Sequence, residues 1–416
     1  VTPPAPAAPR RPVLLLLSGS RRVVDKALGL GLDVVHLQAP TMSDASLDPL
    51  CLRSVRTDLL DVPGVVATAR ALHEEFGFAG VCSNHEPACA ASEAVALDLG
   101  LTAPGTGVAA LLRDKARTHE VLDKSPSLRS PWARLNGPED ALRVAGAAGW
   151  PLILKPVDGS ASLGVLKVDG PEGLDDAWQR VRDTLRNGHR YHEVLPVTGY
   201  LVEPFAAGEE FSVETFSRGG AHEVRAVVRK LVGGAFVETG HLVPADLDAG
   251  RRRAVVDRVT AFLDHVGLCE GPAHTEVIVG ETGVHLVESH ARTGGDEIPA
   301  LLTLVTGRDM EADMLAHACG LPLPPPVRPL GAAAVKRYLL ADRAGRVAAV
   351  DGTAEAAALP GVHSVRVWTG PGDTVRPATA SWERLGEIVA VGPDTGAAAA
   401  AAERACRAIT LRMEEQ

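Results

Sequence analysis

A multidomain α/β protein is what this chain predicts, and three stretches carry the expectation. Near the start, the apolar run Val13–Leu17 is followed by Ser18-Gly19-Ser20, a helical pattern to Leu30 and a second apolar run over residues 33–37. That is a βαβ opening, and it implies a parallel sheet. In the middle, residues 150–156 (WPLILKP) form a strand that delivers Lys155 near its end, and a Gly/Ser-rich loop leads back into a strand over 165–168. Further on, the β-branched runs 275–279 and 284–288 flank Gly280-Glu281-Thr282-Gly283 and read as a β-hairpin.

Composition bounds the function. The 416 residues supply about two to four domains. Hydrophobic content of 46% and charged content of 23% are those of an ordered globular enzyme. A net charge of −10 argues against nonspecific nucleic-acid binding. Cys51, Cys82, Cys89, Cys269, Cys319 and Cys406 lack CxxC spacing, so reduced thiols and a cytoplasmic location are expected. Residues 1–12 are Pro/Ala-rich and expected to be disordered. The apolar run after them is too short for a signal-peptide core or a bilayer span, so no membrane contact is expected.

Taken in order, the βαβ opening continues through a helix over 66–76 to a strand ending at Gly80-Val81-Cys82-Ser83. Asn84-His85-Glu86 then opens a helix over 87–99. His85 and Glu86 stand at a strand's carboxyl end, where open α/β sheets bind ligands, although a plain helix entry uses the same residues. Lys115 starts a helix that runs to Leu122. After Lys155, the loop Gly159-Ser160-Ala161-Ser162-Leu163-Gly164-Val165 can fold over phosphates with backbone N–H and hydroxyl donors. It is not a P-loop, since GxxxxGK[ST] is absent and no helix follows; a mobile hairpin tip is the competing reading. Residues 200–205 and 208–214 form a strand, linker and strand that can present an adenine-facing edge and a ribose-facing carboxylate. Residues 224–231 read as a basic-edged strand, 233–244 as a loop with a short strand, containing His241, and 251–266 as an amphipathic helix. Beyond the hairpin come two helices, the linker 321–329 (LPLPPPVRP), and a tail of short strands ending in a helix capped near Asp394-Thr395.

The hairpin holds the chemistry. A three-residue loop, Glu281-Thr282-Gly283, puts Gly283 in the left-handed position and pairs Glu276 with Glu288 and His274 with His290. All four then share one face. Directly paired Cβ atoms lie roughly 4.5–5.5 Å apart. Two carboxylates at that spacing need a cation or a basic group between them, which points to a divalent metal. A solvated strand face is the plainer alternative, but the neighbours here are His and Ser rather than Lys. Arg292 follows the pair, then the flexible Gly294-Gly295.

In this order, the motifs resemble the ATP-grasp superfamily, and more narrowly its L-amino-acid ligases, the carboxylate–amine ligases that make dipeptides. The resemblance covers nearly the whole chain. It implies an N-terminal α/β domain (13–110), two α+β subdomains clasping ATP (111–205, the lid, and 206–322, with the hairpin) and a C-terminal ligase domain (330–416). It implies phosphate-binding roles for Lys115 and Lys155. The glycine-rich loop matches through Gly159, Ser160, Ser162, Gly164 and Val165, the adenine hinge through Glu203, Phe205 and Ala206, and the ribose carboxylate through Glu210. Magnesium, replaceable by Mn²⁺, falls to Glu276 and Glu288, and the acyl group to Arg292. The family's usual Asn two residues after the second glutamate is His290 here. Imidazole is a poorer Mg²⁺ partner than oxygen, so no ligand role is carried to it.

The implied reaction activates a carboxylate as an acyl phosphate and passes it to an amine. Small-molecule acid and amine substrates follow, with no nucleic-acid or membrane partner, and a homodimer as the default assembly. The loop 159–165 and the His241 loop are candidate lids. His274, Asp296, Glu86 and His241 are candidate substrate contacts; Asp296 would attract an ammonium group, unless it caps the helix starting near Ile298. Three alternatives compete: a carboxylase of the same superfamily acting on bicarbonate, a zinc hydrolase using His274, Glu276, Glu288 and His290, and a nucleotide-binding module without turnover.

Overall fold

The computed structural model describes residues 11–160, 162–188 and 197–414, so nearly all of the stretch expected to be disordered, 1–12, lies outside the described residues, as does Ala161 of the loop. The first unit is built from β1 (Val13–Leu17), α1 (Arg21–Gly29), β2 (Asp33–Gln38), β3 (Arg53–Arg56), α2 (Val62–Phe76), β4 (Phe78–Cys82) and α3 (Glu86–Asp98). Its strands form a four-stranded parallel sheet in the order β3-β2-β1-β4. All five residues of β1 are buried, as a central parallel strand requires when both faces are covered. One face packs Leu15, Leu17 and Val35 against α2 and α3, and the other packs Leu14, Leu16 and Val34 against α1 and the later helix residues Met314 and Leu315. Helix α2 starts at Asp61, whose carboxylate accepts from the Gly64 N–H, and stops at Gly77, whose φ of 66° suits glycine.

Two short helices, α4 (Val108–Arg113) and α5 (Lys115–Leu122), lead into the second unit. This comprises β5 (Ala133–Arg134), α6 (Pro138–Ala148), β6 (Leu152–Pro156), β7 (Leu166–Val168), α7 (Leu174–Asn187) and β8 (Tyr200–Pro204). Its antiparallel sheet runs β5-β8-β6-β7, and the glycine-rich loop joins β6 to β7.

The third sheet is the largest. From β9 (Glu209–Arg218), β10 (Ala221–Val232) and β11 (Glu238–Val243) the chain passes through α8 (Ala249–Val266) to the hairpin β12 (Gly271–Gly280) and β13 (Gly283–His290). Helices α9 (Ile298–Thr306) and α10 (Met310–Ala318) follow. The tail contributes β14 (Ala333–Leu339), β15 (Gly345–Asp351), α11 (Thr353–Ala357), β16 (Val362–Val367), β17 (Thr374–Val375), β18 (Gly386–Gly392), α12 (Thr395–Ala408) and β19 (Thr410–Met413). Eight antiparallel strands line up as β13-β12-β9-β10-β11-β14-β18-β16. The tail therefore does not stand apart: β14 pairs with β11 from Gly240↔Arg337 to Val243↔Ala334 and carries the central sheet onward. No described helix is long and apolar enough to cross a membrane.

The hairpin corrects one expectation. Its loop has two residues, Glu281 and Thr282, because Gly280 pairs with Gly283. A regular ladder from that turn would set Glu276 against Val287. Instead β13 bulges, with Val277 opposite Leu286 and Glu276 opposite Glu288, so Val287 is the extra residue. The shorter turn and the bulge cancel, and His274↔His290 and Glu276↔Glu288 are the observed pairs.

Candidate active site

A cleft of about 910 Å³ opens between the second sheet and the third. From the β6 side come Lys155, Gly159, Ser160, Ser162 and Val165. The segment after β8 supplies Glu203, Phe205 and Ala206, and the large sheet supplies Glu210, Lys230, Glu238, Glu276 and Glu288, with Lys115 at one end. Gly164 sits behind the loop at φ 72°, where a Cβ would meet the Tyr200 hydroxyl at 2.5 Å. Only glycine fits that backbone without moving the loop.

Glu203, Glu210, Glu238, Glu276 and Glu288 are each met by a lysine. Lys115 Nζ lies 2.7 Å from Glu288 Oε2 and donates to the Gly159 carbonyl at 2.8 Å. Lys155 Nζ lies 2.7 Å from Glu203 Oε1, and also donates to the carbonyl of the bulge residue Val287 at 3.1 Å. Lys230, on β10, touches three carboxylates at once: Glu210 at 2.6 Å, Glu238 at 2.7 Å and Glu276 at 2.7 Å. Burial alone would favour neutral Lys230, but the three carboxylates outweigh it and raise its pKa well above the ordinary lysine value. Burial likewise works against ionised Glu276, Glu288 and Glu203. Lys230 and His274 bring Glu276 down to about 2, Lys115 and His290 hold Glu288 well below the carboxylate range, and Lys155 with His119 brings Glu203 to about 2.

These residues fit a hard divalent cation. Oxygens of Glu210, Glu238 and Glu276 lie within 4.8 Å of one another, with the Lys230 ammonium among them, and Glu288 faces Glu276 across the ladder. A zinc set of two histidines and two glutamates fits less well. His274 Nδ1 is 2.6 Å from Glu214 Oε1 and Nε2 is 3.1 Å from Glu276 Oε1. Burial opposes its charge, yet Glu214 and Glu276 raise its pKa to about 10, and both ring nitrogens are already engaged with carboxylates. His290 Nε2 lies 3.3 Å from Glu288 Oε1.

Arg292 and Glu86 form a second group beside the cleft. Arg292 Nη2 pairs with Glu86 Oε2 at 2.9 Å, and Nη1 donates to the Thr293 carbonyl at 2.9 Å. Burial would lower the pKa of Arg292, but Glu86 reverses that and raises it. Glu86 also accepts from Ser160 Oγ at 2.7 Å. His241 and Asp296 form a third group. Asp296 is gripped by Arg384 at 2.6 and 2.7 Å and lies 3.1 Å from His241 Nε2.

Both readings of Asp296 need correction. Asp296 and Glu297 have φ of 52° and 58°, and Glu297 is the N-cap residue of α9, so Asp296 is not the cap. Nor is it a bare carboxylate awaiting an ammonium, because Arg384 already balances its charge. Glu238 bridges this group to the Lys230 cluster; burial, reinforced by Asp296, outweighs Lys230 and pushes it up to about 7.

Sequence reading missed Lys230, Glu238, Glu214, His119 and Arg384. Lys230 left a trace: it shares a face with the buried Val228 on β10, where an unpaired lysine would be costly. Arg384 left none, since it reaches Asp296 from 88 residues away.

Comparison with known proteins agrees with this geometry. An ATP-grasp domain model matches residues 148–300, and the L-amino acid ligase C-terminal domain 2 matches residues 337–414. An uncharacterized protein of Sinorhizobium fredii (strain NBRC 101917 / NGR234) is 26% identical over 366 residues, 85% of this chain and 72% of that protein. The alanine–anticapsin ligase of Bacillus subtilis (strain 168) is 27% identical over 259 residues, 59% of this chain and 55% of the ligase. The match thus spans little more than half of that enzyme's length. The crystal structure of an L-amino acid ligase from Bacillus licheniformis superposes with a TM-score of 0.79 at 23% identity, covering 98% of this chain and 100% of that one. Fold and cleft together define an ATP-grasp protein. The matched C-terminal domain relates the chain, within that fold, to the L-amino acid ligases.

Proposed function

We propose that the protein joins the carboxylate of one amino acid to the amine of a second, through an acyl phosphate formed from ATP. The observation that carries this reading is the convergence of Lys115, Lys155 and Lys230 on the walls of one cleft beside two paired, ionised glutamates. Three buried cations need anionic partners, and a triphosphate can take over from the carboxylates that hold them in the free protein. Magnesium held by Glu276 and Glu288, or Mn²⁺ in its place, supplies charge neutralisation on the phosphates when bound.

The chain's own residues do the rest. Lys115 and Lys155 orient the β- and γ-phosphates, and the loop carrying Gly159, Ser160 and Ser162 covers them and excludes water. Glu203, Phe205, Ala206 and Glu210 line the part of the cleft where the nucleoside would lie. A substrate carboxylate oxygen attacks the γ-phosphorus and ADP leaves. The amine nitrogen then attacks the acyl carbon, phosphate departs, and the nitrogen gives up a proton. Arg292 stabilises the tetrahedral oxyanion that exists between attack by the amine and departure of phosphate.

An ADP-release screen against pairs of L-amino acids, with products identified by mass, tests the reading. Release that depends on two amino acids and yields their condensation product supports it. Release that needs bicarbonate and no amino acid would favour the carboxylase instead.

A further inference from the structure

Glu86 is the first residue of α3 and follows β4 closely, so it stands at the carboxyl edge of the parallel sheet, where such folds place their ligands. A substrate contact is the obvious use for it. Its surroundings argue otherwise. Glu86 is only 9% exposed, and both its oxygens are taken. Oε2 holds Arg292 Nη2 at 2.9 Å and has His290 Nε2 at 3.7 Å, while Oε1 accepts from Ser160 Oγ at 2.7 Å and from Arg113 Nη1 at 3.3 Å. An incoming ammonium would have to displace one of these partners. Arg292, for its part, has one other hydrogen-bond acceptor among the described residues, the carbonyl of its neighbour Thr293, so Glu86 is its one carboxylate anchor there.

We infer that Glu86 is a positioning residue: it aims Arg292 at the acyl group and ties that aim to closure of the glycine-rich loop through Ser160. One carboxylate thus connects the N-terminal sheet, the loop over the phosphates and the segment after the metal-facing hairpin. With the loop lifted, Ser160 leaves and Glu86 keeps Arg113 and His290 but loses one of the partners that fix its rotamer, so Arg292 is held most firmly when the loop is down. This rests on the ligase reading, in which Arg292 touches the reacting acyl group.

The test uses the full chain, ATP, and the L-amino-acid pair that gives most ADP. Glu86→Gln keeps the shape and removes the charge. It should lower kcat on the order of 100-fold, as misplacing a reacting contact does, while KM for ATP and both amino acids stays within about twofold. In an Arg292→Lys background the same change should cost nothing further, since both substitutions remove one function. A KM for one amino acid raised more than about tenfold with kcat kept would make Glu86 a substrate contact and overturn the inference. So would losses that multiply in the double variant. If Glu86→Gln does not fold, Ser160→Ala replaces it: kcat should fall about fivefold, and an unchanged kcat would overturn the link to the loop. A crystal structure of Glu86→Gln reads the position of Arg292 without any turnover, and an unmoved guanidinium also overturns the role. Wild-type protein that releases no ADP with any pair would sink the ligase reading, while that structure still decides whether Glu86 positions Arg292.

Discussion

At the scale of single residues, the site is a balance of buried charges, and removing one member exposes the others. Glu288→Gln should abolish ADP release, at least about 100-fold, with an unchanged circular-dichroism spectrum, because half of the metal-facing pair is lost while the volume is kept. Lys230→Met should behave differently. It strands Glu210, Glu238 and Glu276 together, so stability should fall by about 3–5 kcal/mol in urea titrations, and added Mg²⁺ should recover part of the loss by replacing the missing cation. No recovery with Mg²⁺ would mean that the three carboxylates do not form one cation site. Acid acts on the same balance. Glu203 has a folded pKa of about 2 against 4.5 for a free glutamate, so its stabilising effect is full above pH 4.5 and disappears as pH falls towards 2. Wild-type stability should therefore drop across that window, and Glu203→Gln should show a shallower drop. The glutamate pair was legible in the sequence because the alternation along the hairpin puts both carboxylates on one face, and the shorter turn and the bulge cancel in its register. Lys230 was not, because its three partners lie on β9, β11 and β12, and no local pattern records a contact between strands that distant loops bring together.

At the scale of elements, the hairpin and the glycine-rich loop show what pattern reading captures and what it passes over. The alternation along β12 and β13 predicted which side chains share a face, and the observed pairs agree. The turn and the bulge did not show, since an extra loop residue and an extra strand residue produce the same register at Glu276. The bulge still has a consequence: Val287 has no cross-strand partner, and its carbonyl is what Lys155 grips at 3.1 Å. The loop's requirement for glycine was legible as composition, but the reason for it lies in Tyr200 on β8, whose hydroxyl fills the space beside Gly164. Gly164→Ala places a methyl group 2.5 Å from that oxygen and holds an L-residue at φ 72°. The loop must shift off the phosphates, and KM for ATP should rise about tenfold with little change in the melting temperature. An equal KM for ATP in wild type and variant would separate the loop from the nucleotide.

At the scale of the whole molecule, the tail is part of the large sheet that lines the cleft rather than an appendage. Periodicity recognised its strands but not their destination, because β11 and β14 are about 90 residues apart and their pairing is set by packing. Ala334 and Val389 of the tail share a core with Ile298, Leu301 and Leu302 of α9, just after Asp296. Arg384 then crosses from the segment before β18 to grip Asp296 with two hydrogen bonds, while its guanidinium lies 3.7 Å from the Tyr338 ring centroid. A buried pair of this kind is worth less in itself than the penalty for breaking it, since the survivor keeps its charge without a partner. Arg384→Met should accordingly cost about 3–5 kcal/mol, with Asp296 left without its cationic partner beside His241 and Glu238. Asp296→Asn added to Arg384→Met removes the stranded charge, so the double variant should be more stable than Arg384→Met by itself. Urea midpoints of the wild type, both single variants and the double variant measure this directly. A double variant as unstable as the sum of the two single changes would mean that the tail and the segment after the hairpin are held by apolar packing alone, with the ion pair contributing nothing to their union.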